Sequence, residues 1–261
     1  NHATDIPWPL SMRWPLAIWR GMFAPAVKPA AAQPGEDPVL ARGRYLVEGL
    51  GHCGACHTPR SITMQEKALN NSEGTDYLSG SSAPIDGWTA INLRGDDRDG
   101  LGRWSTSDIA QFLRYGRNDQ TAVFGGMTDV VQHSLQYLSD DDINAIARYL
   151  KSLSPRDSHQ PVFKADDSVS QALWKGNDQR TGAAEYVDSC AACHKTDGSG
   201  YTRFFPALKG NPVVLAEDPT SLIHIVLTGD TLPGVQGAPS AITMPAFGWR
   251  LNDQQVANVV N

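Results

Sequence analysis

The sequence has no cysteine to spare. Its four cysteines, Cys53, Cys56, Cys190 and Cys193, all fall inside two identical Cys-x-x-Cys-His segments. A structural disulfide framework is thereby excluded. No run of about 18 apolar residues occurs, so no helix is expected to span a bilayer, and any membrane contact must be peripheral or lie outside this chain. Positive charge is short: 22 Lys and Arg stand against 28 Asp and Glu, a formal net charge of -6 with a pI near 5.6. A surface that tracks phosphates is not expected, and nucleic acid is set aside. Strong strand alternation is missing as well. The chain starts at Asn1, its first 30 residues are broken by five prolines, and no signal peptide is legible there. A processed or partial chain is expected.

What is present points to two domains. At 261 residues, with 41% hydrophobic and 19% charged, the chain is long enough for two ordinary cores. Residues 1–35 read as a Pro/Trp-rich connector, in which six prolines from Pro7 to Pro34 interrupt Trp8, Trp14, Trp19 and Phe23. Proline at that density argues against a long helix, and the segment is expected to lie extended over apolar surface, its own domain's or a partner's. After it a diverged repeat begins. A helix from Asp37 (Val39, Leu40, Gly43, Tyr45, Leu46) runs into Cys53 to His57, and one from about Thr181 (Ala184, Tyr186, Val187) runs into Cys190 to His194. The repeats also close alike. Ser139 with Asp142 makes a capping box before Ile143, Ile146, Ala147 and Leu150, and Asn252 with Gln255 makes one before Val256, Val259 and Val260. The second closing helix stops at Asn261, short of its counterpart, which suggests a truncated C-terminus. Middle helices are expected over about 107–115 and 219–227. The intervening loops are long enough to need something to wrap around. The resulting division is a first domain at 36–155, a linker at 156–174 rich in Pro, Ser and Asp, and a second domain at 175–261.

Cys-x-x-Cys-His carries a specific chemistry. Two thiols add across the vinyl groups of a haem, and the adjoining imidazole becomes an axial ligand to the iron. Zinc shared between the pairs is the rival, but more than a hundred residues separate them and each has its own trailing histidine. A thioredoxin-like redox pair expects a βαβ setting and gives no reason for two copies. The reading is therefore an all-α protein, with two class I cytochrome c-like domains in tandem, long haem-wrapping loops, two covalently attached haem c groups, and His57 and His194 as ligands. Of the five methionines, Met12 and Met22 precede the first site and Met64 follows His57 too closely. Met127 and Met244 each sit in a Gly/Pro-bearing loop just before a closing helix, so they are the candidate sixth ligands, ahead of His133 and His224; His52 reads as a solvated or packing residue. Thioether ligation favours ferrous iron and a relatively high potential.

Haem also needs support. The histidine's second ring nitrogen wants an acceptor, for which Pro206 is placed, with Leu208 expected to cover the ring; Ile91, Asn92 and Leu93 occupy the corresponding place in the first repeat. Arg60, Arg94, Arg103 and Arg203 are candidate propionate partners, and Trp88, Trp104 and Trp249 candidate pocket walls, each with plain surface or core as the bland alternative. The loop Gly95 to Gly100 invites a calcium reading but lacks the later bidentate Glu of an EF-hand, and is expected to be a solvated turn.

Taken together, Asp5 to Pro15, Cys56-His57-Thr58-Pro59-Arg60, Gly102-Arg103-Trp104-Ser105, Gln136-Tyr137-Leu138-Ser139 and Met244-Pro245-Ala246-Phe247 resemble the multihaem cytochrome c subunit of bacterial membrane-bound alcohol, gluconate, fructose, sorbitol and glucose dehydrogenases. The likeness covers essentially the whole chain and is specific to family, not to substrate. It implies a periplasmic electron-transfer subunit, peripherally attached to the cytoplasmic membrane and no enzyme by itself. Such a subunit takes electrons from the flavin or quinone cofactor of a catalytic partner and passes them to ubiquinone. The family's ligand pairs fall on His57 with Met127 and His194 with Met244. The chain departs from the family pattern at Ile91 and Gly126, where proline is usual or common. Three haem domains are usual, so a third haem is expected in a full-length member. The opening segment resembles the connector after the first haem domain, so one domain in front and a membrane-contacting tail behind are expected to be missing. The alternatives are a freestanding dihaem shuttle, which has little use for the Trp-rich opening, and a dihaem peroxidase, which needs an open sixth position that paired Met loops argue against.

Overall fold

The computed structural model describes residues 6–8, 11–26, 34–81 and 83–261. It divides into two compact units, Asn1–Ala31 and Ala32–Asn261.

Among its described residues the first unit holds one helix, α1 (Trp14–Phe23). The expectation of an extended segment fails here, because the prolines bracket a helix instead of interrupting it. Pro15 sits in the first turn, where its missing N–H has no intrahelical acceptor to lose, and the helix ends just before Pro25. Trp19 and Phe23, one turn apart, bring their rings to 5.6 Å. No residue of α1 is buried, and Trp8 is 78% exposed. Asp5, Pro9 and Leu10 of the quoted opening lie outside the described residues.

In the second unit, α2 (Pro38–Arg44) starts where Asp37 accepts a hydrogen bond from the Val39 N–H at 2.7 Å, and it continues as a π-helical stretch, Tyr45–Leu50. A short turn, α3 (Gly54–His57), carries the first haem motif. The middle helix α4 (Thr106–Tyr115) has a complete capping box, Ser105 with Asp108, and ends on the left-handed Gly116. Then come α5 (Gly126–His133) and the closing helix α6 (Asp140–Ser152). Ser139 caps α6 as expected, but Asp142 does not complete the box: its carboxylate faces Arg42 at 2.7 Å and ties α6 to α2 instead. Ile143, Ile146, Ala147 and Leu150 form the buried face of α6 and join Leu46, Val47, Ile109 and Trp104 in one core. α2 crosses α6 very closely, since a Cβ built on Gly43 would stand 2.1 Å from the Ala145 carbonyl oxygen.

The second repeat follows the same order. α7 (Ser168–Trp174) gives the end of the 156–174 stretch helical structure that its composition did not suggest. α8 (Ala183–Ser189) and α9 (Ala191–His194) carry the second haem motif. They are followed by α10 (Pro212–Leu215), α11 (Thr220–Thr228) and α12 (Asp253–Val260), the last with its Asn252–Gln255 box complete. Its close crossing is at Gly182, where a Cβ would stand 2.1 Å from the Asn258 carbonyl oxygen. The core is smaller: Val226, Leu251 and Val256 are its fully buried members. A two-residue antiparallel ladder pairs β1 (Asp230–Thr231) with β2 (Thr243–Met244).

The loop Gly95 to Gly100 is not solvated. Asp96 is 2% exposed, and its carboxylate accepts from the Asn92 side chain and from the backbone N–H groups of Arg156 and Asp157. Asp97 accepts from the Phe163 N–H, and Asp99 from Gln160. The carboxylates find donors in the chain following α6, so the loop fastens the stretch 156–163 down.

Candidate functional site

Each Cys-x-x-Cys-His segment is a single tight turn. His57 N donates to the Cys53 carbonyl at 3.0 Å, and His194 N to the Cys190 carbonyl at 2.9 Å. Each imidazole is then pinned by a distant loop. His57 Nδ1 lies 2.8 Å from the Ile91 carbonyl oxygen, and His194 Nδ1 lies 2.9 Å from that of Pro206. A carbonyl only accepts, so Nδ1 carries the proton in both rings and Nε2 keeps its lone pair for a metal. Burial lowers both imidazole pKa values and favours the neutral ligand form, opposed by those same carbonyls.

All four cysteines are free thiols. Burial pushes Cys53 and Cys190 up to about 11. A redox-active Cys-x-x-Cys needs the opposite shift. Among the described residues no three His, Cys, Asp or Glu side chains gather around one point, so the two pairs do not meet in a shared metal site.

The second motif opens on a cleft of about 730 Å³, its mouth included, lined by Cys190, Cys193, His194 and Met244. Phe204, Phe205, Pro206 and Phe247 supply apolar wall, and so do Ala122, Val123 and Phe124 from the first repeat. At the first motif, Cys53 and Met127 both pack against the main core. Met127 lies in the first turn of α5, not in a loop, and Met244 lies in β2. Trp104 Nε1 and Tyr77 Oη, both in that core, and Ser189 Oγ, beside Cys190, are buried without a protein partner. Buried polar atoms normally have one. Orphaned donors, imidazoles with Nε2 left free and cysteines outside any disulfide are together what a covalently attached haem with carboxylate-bearing edges uses, so the residues fit the group.

Other candidates are placed less uniformly. Arg94 is 1% exposed and spends its guanidinium on Ser154, Asn71 and the Tyr77 carbonyl. Arg60 donates to the Met64 and Ala55 carbonyls, Arg103 to those of Asp97 and Gly210, and Arg203 pairs with Asp119. Asn92 organises the Asp96 loop, and Leu93 packs on the core. Trp88 stands edge-on to His224 at 4.3 Å, between the repeats. Leu208 is not among the residues lining the cleft, which include Phe204 and Phe205, and Trp249 is 82% exposed. His133 is exposed at the end of α5, and His52 is exposed with a positive φ. Nothing in the residue pattern singles out Asp230, which lines the cleft, or Arg117, a buried cation that donates to the Ala238 and Ser240 carbonyls across the seam. Both matter only once the repeats are docked.

The cytochrome c family pattern matches residues 179–261. Over its whole length the chain is 76% identical to the gluconate 2-dehydrogenase cytochrome c subunit of Pantoea cypripedii, of which it covers 59%. It is 55% identical to the alcohol dehydrogenase (quinone) cytochrome c subunit of Gluconacetobacter polyoxogenes, covering 56% of that protein. It is 35% identical to the fructose dehydrogenase cytochrome subunit of Gluconobacter japonicus, covering 55%. The chain thus spans somewhat more than half the length of these relatives.

Proposed function

From its similarity to the cytochrome c subunits of dehydrogenase complexes, we propose that the chain belongs to that family and transfers electrons from the cofactor of a catalytic dehydrogenase subunit toward membrane ubiquinone. Haem c, when bound, supplies the one-electron chemistry. Cys53 and Cys56 would hold one haem and Cys190 and Cys193 a second, in domains at 36–155 and 175–261 joined by residues 156–174. His57 with Met127 would hold one iron and His194 with Met244 the other. The protein's work is to orient and to exclude: Ile91 and Pro206 fix the imidazoles, and Trp104, Tyr77 and Ser189 would offer donors to the haem edges. Phe204, Phe205 and Phe247, which line the second cleft, would keep water from the group held there.

The observation that carries this reading is the repeated one, a histidine directly after the second cysteine and one turn after the first, with Nδ1 held by a backbone carbonyl. A periplasmic site at the membrane surface agrees with α1, whose exposed Trp14, Leu16, Ile18 and Met22 lie in a stretch, 6–35, that has Arg13, Arg20 and Lys28 but no acidic residue. Among the described residues no helix is long and apolar enough to cross a bilayer. The test is co-purification. A flavin- or quinone-containing dehydrogenase should accompany the protein and reduce its haems when given its own substrate; haems reduced equally well with no such partner would favour a freestanding shuttle.

A further inference from the structure

The two proposed sixth ligands belong to different repeats, yet one side chain lies between them. Asp230 is in β1, directly opposite Met244 in the ladder. Its Oδ1 accepts from its neighbour Thr231 N–H at 2.7 Å, and its Oδ2 accepts from the Gly125 N–H at 2.6 Å. Gly125 is the residue before α5, two before Met127. Its own conformation is forced. It has φ +61°, and a Cβ there would stand 2.7 Å from the Trp88 ring, so the start of α5 is held by Trp88 on one side and Asp230 on the other. On its far side β1 is equally constrained, because Gly229 packs so closely that a Cβ would meet the Met244 carbonyl oxygen at 2.4 Å.

We infer that Asp230 is a positioning residue that couples the two sixth-ligand segments, holding the Met127 end of α5 at a fixed place relative to the Met244 strand. The inference rests on the methionine assignment made above. A hydrogen bond from a backbone N–H to a carboxylate is one of the stronger kinds. Its loss frees the first turn of α5 without touching the β1–β2 ladder. Met127 then competes less well for the iron of the first site, while Met244 keeps its backbone partner.

The experiment uses the full haem-loaded chain and imidazole as the competing ligand, with the long-wavelength methionine-to-iron absorption band as readout. A Met127→Ala variant identifies which part of the signal belongs to the first site. With Asp230→Ala, imidazole should displace the first site's methionine at about tenfold lower concentration, the worth of one charge-assisted hydrogen bond. Displacement at the second site should move much less. Asp230→Asn keeps an acceptor oxygen and should restore most of the difference, which a general loss of stability would not allow. Unchanged imidazole affinity in Asp230→Ala, with both bands present in the parent protein, overturns the coupling while leaving the ligands in place. A parent protein with no methionine band overturns the ligand assignment itself, and the coupling with it.

Discussion

In single residues, haem binding depends on which atoms are left free. His57 and His194 each commit Nδ1 to a carbonyl and offer Nε2, and the thiols of Cys53 and Cys190 are held protonated by burial. These features follow from Cys-x-x-Cys-His, which was legible in the sequence because the chemistry demands contiguous residues. The assignment of Met127 and Met244 as ligands rests on their matching place in the two repeats. Replacing either Met127 or Met244 with alanine should remove one methionine–iron band and lower one of the two midpoint potentials, since thioether ligation favours ferrous iron. Potentiometric titration of the single variants checks this, and a variant that leaves both potentials unmoved denies that methionine its role. The arginines were not legible in the same way. Arg94 and Arg103 look like free cations in a sequence, but backbone carbonyls on distant loops absorb their donors. Asp96 deceived for the same reason, because backbone N–H groups sixty residues downstream leave no trace in local composition.

Among the elements, the amphipathic helices at the ends of each repeat and the two middle helices were readable from apolar spacing and capping residues. α1 was not, because prolines at its two ends resemble prolines that break a helix. α5 and α7 were missed too; both are short and bury a single residue each, Val131 and Ser170. The crossings of opening and closing helices are the tightest joints. Gly43→Ala should destabilise the fold by about 1–3 kcal/mol or more, the usual effect of overpacking, because the new methyl meets backbone and not a movable side chain. Gly182→Ala should do the same in the second repeat, with its left-handed φ of +80° adding strain. Thermal melting of the haem-loaded variants measures both, and a melting point unchanged in both would refute the packing. The α2–α6 joint also carries a pH dependence. Hydrogen bonding from Arg42 holds the Asp142 carboxyl below its ordinary 3.8. A lowered folded-state pKa means that this contribution is complete above about pH 4 and is lost as pH falls through the folded value. Asp142→Asn should therefore lower stability near neutrality and flatten the acid limb of the melting curve; an acid limb as steep as the parent's would show that the pair does not matter.

For the whole molecule, the repeats of the second unit are not independent beads. Thr89 and Ser221 exchange hydrogen bonds, Arg117 reaches the Ala238 and Ser240 carbonyls, and Ala122 to Phe124 wall the second cleft. The sequence showed two motifs and two sets of bounding helices. It carried no sign of the seam, since docking brings together positions about 90 to 130 apart that share no pattern. Electron transfer along such a chain requires first that both sites be filled by covalent attachment. The most direct measurement is intact mass of the isolated protein together with a pyridine haemochrome spectrum. Two covalently held haems per chain are expected, lost one at a time in Cys53→Ala/Cys56→Ala and Cys190→Ala/Cys193→Ala variants. A chain carrying no haem, or only one, would contradict the account.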